Sequence, residues 1–168
     1  MKQTSILFLF LLLFACAIPK YSPGELTPGI SIQNQGVVAR QLHQHGIDYY
    51  QIAHEELLPV LLTLRQDIFN DNTRDVGSLV SWDNADPAYI NYLSNTVHTV
   101  HALKERAVWR VSMESTKNPL IFLLEWTEVD HPYVVLAHCY LRQEGGKYRI
   151  VHDRTLEESF FETHNHAN

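Results

Sequence analysis

The chain has 168 residues, 45% of them hydrophobic, with 13 Lys and Arg against 19 Asp and Glu and a formal net charge of −6. That length suits one domain with something attached to it, the acidic balance argues against a nucleic-acid-binding domain, and two cysteines cannot build a disulfide-rich scaffold. Outside the N-terminus no apolar run approaches the roughly 18–20 residues that a membrane helix needs.

The first element reads as an address. Met1-Lys2 supplies a short positive start, and Ile6 to Phe14 are nine consecutive apolar residues, an apolar core of signal-peptide length. A buried first helix would show polar residues at some helical period, and this stretch is apolar all round. Residues 1–15 are therefore expected to be an export signal. Two cleavage readings stay open. Leu13-Phe14-Ala15-Cys16 resembles the bacterial lipobox, in which the cysteine is lipidated and becomes the mature N-terminus. Ala15-Cys16-Ala17 also suits an ordinary signal peptidase, with cleavage before Ile18.

Pro19, Pro23, Gly24, Pro28, Gly29 and Gly36 punctuate the next stretch, with polar residues between them. Such a segment lacks the apolar surface to fold by itself, so residues 16–36 are expected to be a tether. A lipid-anchored domain needs a spacer from the bilayer, which favours lipidation of Cys16 and attachment to the membrane through that lipid. The expected location is the bacterial cell envelope; a periplasmic or secreted protein is the alternative.

A helical face follows. Ile47, Tyr50, Ala53, Leu57, Leu61, Leu64 and Ile68 recur at spacings of three and four, with helical pattern starting as early as Val37. Pro59 lies inside this run and predicts a kink or break; Asn70-Asp71-Asn72-Thr73 ends it. Val76 to Trp82 reads as one small strand. Asp86 then looks like a helix cap with Pro87 at the first helical position, opening a helix that carries Ile90, Leu93, Val97 and Val100.

The second half reads as strands. Ala107, Trp109, Val111 and Met113 alternate with Arg110, Ser112 and Glu114. Leu120–Val129, Tyr133–Arg142 and Lys147–Thr155 follow, separated by Asp130-His131-Pro132 and Glu144-Gly145-Gly146. Four strands joined by short turns should pair antiparallel in sequence order. The middle two are apolar on both faces, so the sheet should be covered by helices on one side and by something else on the other. The expected domain spans residues 37–161, with 162–168 a flexible tail.

This order of elements resembles the cone-shaped α+β fold of the nuclear transport factor 2-like superfamily, which includes polyketide cyclases and ketosteroid isomerases. Gly146-Lys147-Tyr148-Arg149-Ile150-Val151-His152-Asp153 looks like the closing strand common among its members. The resemblance implies N-terminal helices packed on a curved four-stranded antiparallel meander. It also implies a pocket in the cone and frequent dimerisation through the outer face of the sheet.

Candidate chemistry centres on histidine. A hairpin symmetric about Gly145 would set His138 opposite His152, and two imidazoles in an apolar pocket could shuttle a proton. These are the candidate catalytic residues of an isomerase- or cyclase-like enzyme. Against them stands the plainer expectation of two histidines held by hydrogen bonds in a packed core or lying on the outer face. His98 and His101 share a helical face, but no neighbouring Cys or carboxylate pair completes a metal site, so no metal and no cofactor are expected. Asp48, Tyr49 and Tyr50 could present a carboxylate and phenols, though such tyrosines more often pack on a sheet. Arg142, Arg149 and Arg154 are explained by cross-strand ion pairs with Glu144 and Asp153. Cys139, left without a partner, reads as a small buried hydrophobe. The leading functional expectation is an envelope-anchored binding or assembly module that dimerises or docks on another envelope protein. A small-molecule-binding enzyme is the alternative.

Overall fold

A computed structural model describes residues 24–33, 35–81, 87–115 and 119–165. The export signal, Cys16, the capping position Asp86 and residues 166–168 lie outside the described residues. The fold is α+β, with six strands in the order β1-β2-β3-β4-β5-β6 and five α-helices among the described residues.

The sheet is mixed and six-stranded, not a four-stranded meander alone. Strands β3 (Ala107–Ser115), β4 (Ile121–Glu128), β5 (Ala137–Glu144) and β6 (Lys147–Val151) do pair antiparallel in sequence order. Two short strands extend the β3 edge: β1 (Glu25–Thr27) and β2 (Ile30–Ile32), with β2 parallel to β3. Residues 25–32, expected within the tether, thus belong to the sheet. Leu26, Ile30 and Ile32 alternate into the core, and Ile30 is fully buried. Gly24 makes the hairpin possible. It sits at φ +89°, and a Cβ there would lie 2.5 Å from the Ile32 carbonyl oxygen.

The helices are α1 (Gln35–Gln44), α2 (Leu58–Phe69), α3 (Thr73–Ser78), α4 (Pro87–Leu103) and α5 (Arg154–Asn165). Between α1 and α2, Gln51–Leu57 is a π-helix, and the Leu58 N–H bonds back five residues to the Ala53 carbonyl. Pro59 explains a disturbance here, because it donates no backbone hydrogen bond and crowds the preceding turn. The kink expected at Pro59 is thus a widened turn leading into α2. Asp48 caps the turn before it, its Oδ1 accepting the Tyr50 N–H at 2.8 Å.

Two further expectations are corrected. Of the strand expected from Val76 to Trp82, the described residues Val76 to Ser81 form none: Asn72 accepts the Asp75 N–H and starts α3, leaving a single parallel bridge between Val80 and Ile150. Helix α5 replaces the end of the expected last strand and most of the flexible tail. Asp153 Oδ1 accepts the N–H groups of Thr155 and Leu156 at 3.0 and 3.3 Å, capping α5 two residues after β6 ends.

One core face of the sheet carries Trp109, Val111, Phe122, Leu124, Cys139, Leu141, Tyr148 and Ile150, packed against Leu57, Leu61, Leu64, Ile68, Val97 and Val100. The opposite face carries a smaller cluster of Leu123, Tyr140 and Val151, covered by Phe160 and Leu156 of α5. The double-sided apolar character of β4 and β5 is therefore met within the chain. The cover expected on the second face is its own C-terminal helix.

Candidate functional site

The Gly145-Gly146 turn decides where the histidines go. Both glycines have positive φ (56° and 77°), the requirement of a two-residue type I′ hairpin. The symmetry point therefore falls between them, and the ladder pairs Glu144 with Lys147 and Tyr140 with Val151. That is one residue away from the expected register, and a shift of one sends a side chain to the other face. His138 and His152 consequently do not oppose each other. His138 lies on the face under α5 with Tyr140, while His152 lies past the end of β6, its ring stacked on Tyr89 at 4.3 Å.

His138 is the centre of a buried polar cluster. Its Nε2 is 2.6 Å from Glu157 Oε2 on α5, and the two side chains are 6% and 14% exposed. Its ring stacks on Phe160, with centroids 3.8 Å apart. The Tyr92 hydroxyl reaches in from α4, 3.2 Å from Nδ1. It also accepts the His138 backbone N–H and donates to the His138 carbonyl, each at 3.0 Å. The last β5–β6 pair is Tyr140 with Val151, so these backbone groups extend past the strand that would have satisfied them. One phenol stands in for the missing strand residue. Burial raises the Tyr92 pKa, which keeps that hydroxyl protonated.

The cluster continues across the sheet. Glu125 is paired in register with Arg110 on one side and His138 on the other, and is itself buried. Arg110, Glu125, His138 and Glu157 therefore alternate basic and acidic side chains across the sheet and onto α5. Arg110 also donates to the Pro132 carbonyl at 3.0 Å, tying the β4–β5 connection to the sheet. An imidazole between a carboxylate and a hydroxyl is competent to relay a proton. Here it is sealed: His138 is 5% exposed. The arrangement holds α5 on the sheet.

The other sequence candidates are accounted for locally. His98 faces Asp71 at 3.3 Å, and His101 Nδ1 lies 3.0 Å from the Ile68 carbonyl. Asp48 is spent as a cap, and Tyr50 stacks on His54. Arg142 pairs with Glu144 two residues along the same strand at 2.5 Å, not across strands, and Arg149 donates to the Ser78 carbonyl. Cys139 is fully buried, and burial, with the Glu157 charge behind it, raises its thiol pKa. Tyr92, Glu157 and Phe160 were missed. The available signal was Asp153 ahead of Leu156 and Phe160, a cap followed by an i, i+4 apolar pair.

A second feature lies at the end of the sheet beside this cluster. Val129, Tyr133, Val134 and Leu136 of the β4–β5 connection are exposed, Tyr133 almost wholly, and so is Phe161 of α5. The intervening Val135 packs on the Leu123–Phe160 cluster, which anchors the connection while its neighbours face outward. No family model, curated protein or solved structure matches this chain.

Proposed function

We propose that this protein is a lipid-anchored component of the bacterial cell envelope whose α+β domain is a binding or assembly module for another envelope protein. The observation that carries the reading is the apolar end patch. Five of the eight large hydrophobic residues exposed among the described residues are Val129, Tyr133, Val134, Leu136 and Phe161. Four of them fall within the one β4–β5 connection, interspersed with exposed polar Asp130 and His131, and exposed apolar residues concentrated in this way suit an interaction surface. An enzyme using His138 and His152 together draws less support, because the β5–β6 register does not set the two imidazoles opposite each other and each ring stacks on a different partner. The cone-like architecture of the nuclear transport factor 2-like superfamily remains part of the proposal, supported by the helix–meander order. Attachment through lipid on Cys16 rests on the sequence alone.

The test uses the full chain in membranes. A photo-crosslinking amino acid at Tyr133 should give one discrete heterologous adduct, and the same group at Leu62 should not. Cys16→Ser should abolish fatty-acid labelling and release the protein from the membrane fraction. A crosslink-free monomer overturns the module reading; unchanged labelling and fractionation overturn the anchor.

A further inference from the structure

A cleft of about 550 Å³ lies at the opposite end of β5 from the β4–β5 connection, between the π-helix and the β5–β6 hairpin. Glu55, Glu56 and Pro59 line one wall; Lys147 and Arg149 line the other, with Tyr148 between them. The π-helix Gln51–Leu57 sets the first wall, and segments of this type concentrate at functional sites. Glu56 also borders a second cleft of about 360 Å³, so it stands where the two meet.

The two walls carry opposite charge that is not internally neutralised. Among the described residues, neither Glu55 nor Lys147 has an ion-pair partner, and Glu56 receives only neutral donors, from Gln51 at 3.3 Å and Gln143 at 3.0 Å. Arg149 donates to a backbone carbonyl, that of Ser78. Tyr148 adds an independent sign. It is 4% exposed, yet its buried hydroxyl has no hydrogen-bond partner among the described residues, a condition that native interiors rarely leave unmet. Burial, with the Glu56 carboxylate behind it, raises its pKa and keeps it a donor.

We propose that this cleft binds a small zwitterion, an amino acid or short peptide whose ammonium group faces Glu55 and Glu56 and whose carboxylate faces Lys147 and Arg149. Acids and bases held apart in one cleft, too far to pair with each other, match a ligand that carries both charges across the gap. Tyr148, whose buried hydroxyl has no acceptor among the described residues, lies in the lining beneath these groups. This site is separate from the end patch and does not depend on the anchor.

The experiment is calorimetric titration of the full-length protein in detergent with alanine and alanyl-alanine, each compared with its N-acetylated and C-amidated form. Saturable binding of at least one free zwitterion is expected, weakened about tenfold or more by either cap, as loss of a charged hydrogen bond implies. Glu55→Gln should weaken the free ligand without further weakening the N-acetylated one, and Lys147→Gln should do the same for the amide. Both positions are at the surface, so folding is preserved. Absence of saturable binding by both zwitterions, or affinity indifferent to both caps, overturns the proposal.

Discussion

His138→Ala tests whether the buried cluster is what fastens α5. Among the described residues, the substitution leaves the Glu157 carboxylate, 14% exposed, with neither of its oxygens partnered, since Oε1 has no partner already. Removing one partner of a fully buried pair costs about 3–5 kcal/mol, and losing a stacked ring adds about 0.5–1.5 kcal/mol. Two effects reduce this. Glu157 retains some water, and α5 can lift from the sheet locally without unfolding the rest. A global loss of about 2–3 kcal/mol follows for His138→Ala, and about 1–2 kcal/mol for Glu157→Gln, which keeps an acceptor for Nε2. A double-mutant cycle should give a coupling of about 1.5 kcal/mol. Urea unfolding followed by the fluorescence of buried Trp109 and Trp126 measures the global term. Amide exchange over residues 154–165 measures the local one, and α5 should lose protection before β4. Single substitutions within about 0.5 kcal/mol of the parent, no coupling and unchanged α5 protection would together refute the reasoning.

Gly24→Ala should cost roughly 1–3 kcal/mol in the same denaturation assay, because a Cβ would meet the Ile32 carbonyl oxygen at 2.5 Å with φ at +89°; a neutral result would show that β1 contributes nothing to the fold. Cys139 gives a pH prediction. Burial raises its thiol above the ordinary value of 9.0, so the unfolded chain loses that proton first. The folded state then holds more protons than the unfolded one, and stability falls as pH rises past about 9. Cys139→Ala should flatten that part of the stability curve, and the native thiol should react with a thiol reagent only at the rate of unfolding.

The strands were legible where alternation met a buried face. Ala107 to Met113 alternates, and its odd-numbered residues pack on the core as expected. The shortfall came from elements whose stability is tertiary. Strands β1 and β2 have three residues each, and their Pro and Gly neighbours resemble a spacer until Ile30 is seen beside Trp109. Helix α5 was hidden because Leu156 and Phe160 are its only buried or half-buried apolar residues, and their cover is Tyr140 and Val151, not local sequence. The histidine register failed on one residue of turn geometry, set by two glycines instead of one. Glu157 could not have been joined to His138 without knowing that α5 folds back.

That return of α5 changes what the apolar strands mean. A sheet buried on both faces first pointed to a second copy covering the outer face. Leu123, Tyr140 and Val151 are instead covered by Phe160 and Leu156 of the same chain, so this part of the outer face calls for no partner. What stays unsatisfied is displaced to the end of the sheet, at Val129, Tyr133, Val134, Leu136 and Phe161. Phe161 follows Phe160 on the same helix: one ring stacks on His138, and its neighbour faces solvent. The cluster that seals His138 therefore also positions part of the exposed patch. A substitution that loosens α5 should weaken crosslinking at Tyr133 even though His138 itself is out of reach of any partner, because Val135 ties the connection to the cluster beneath α5.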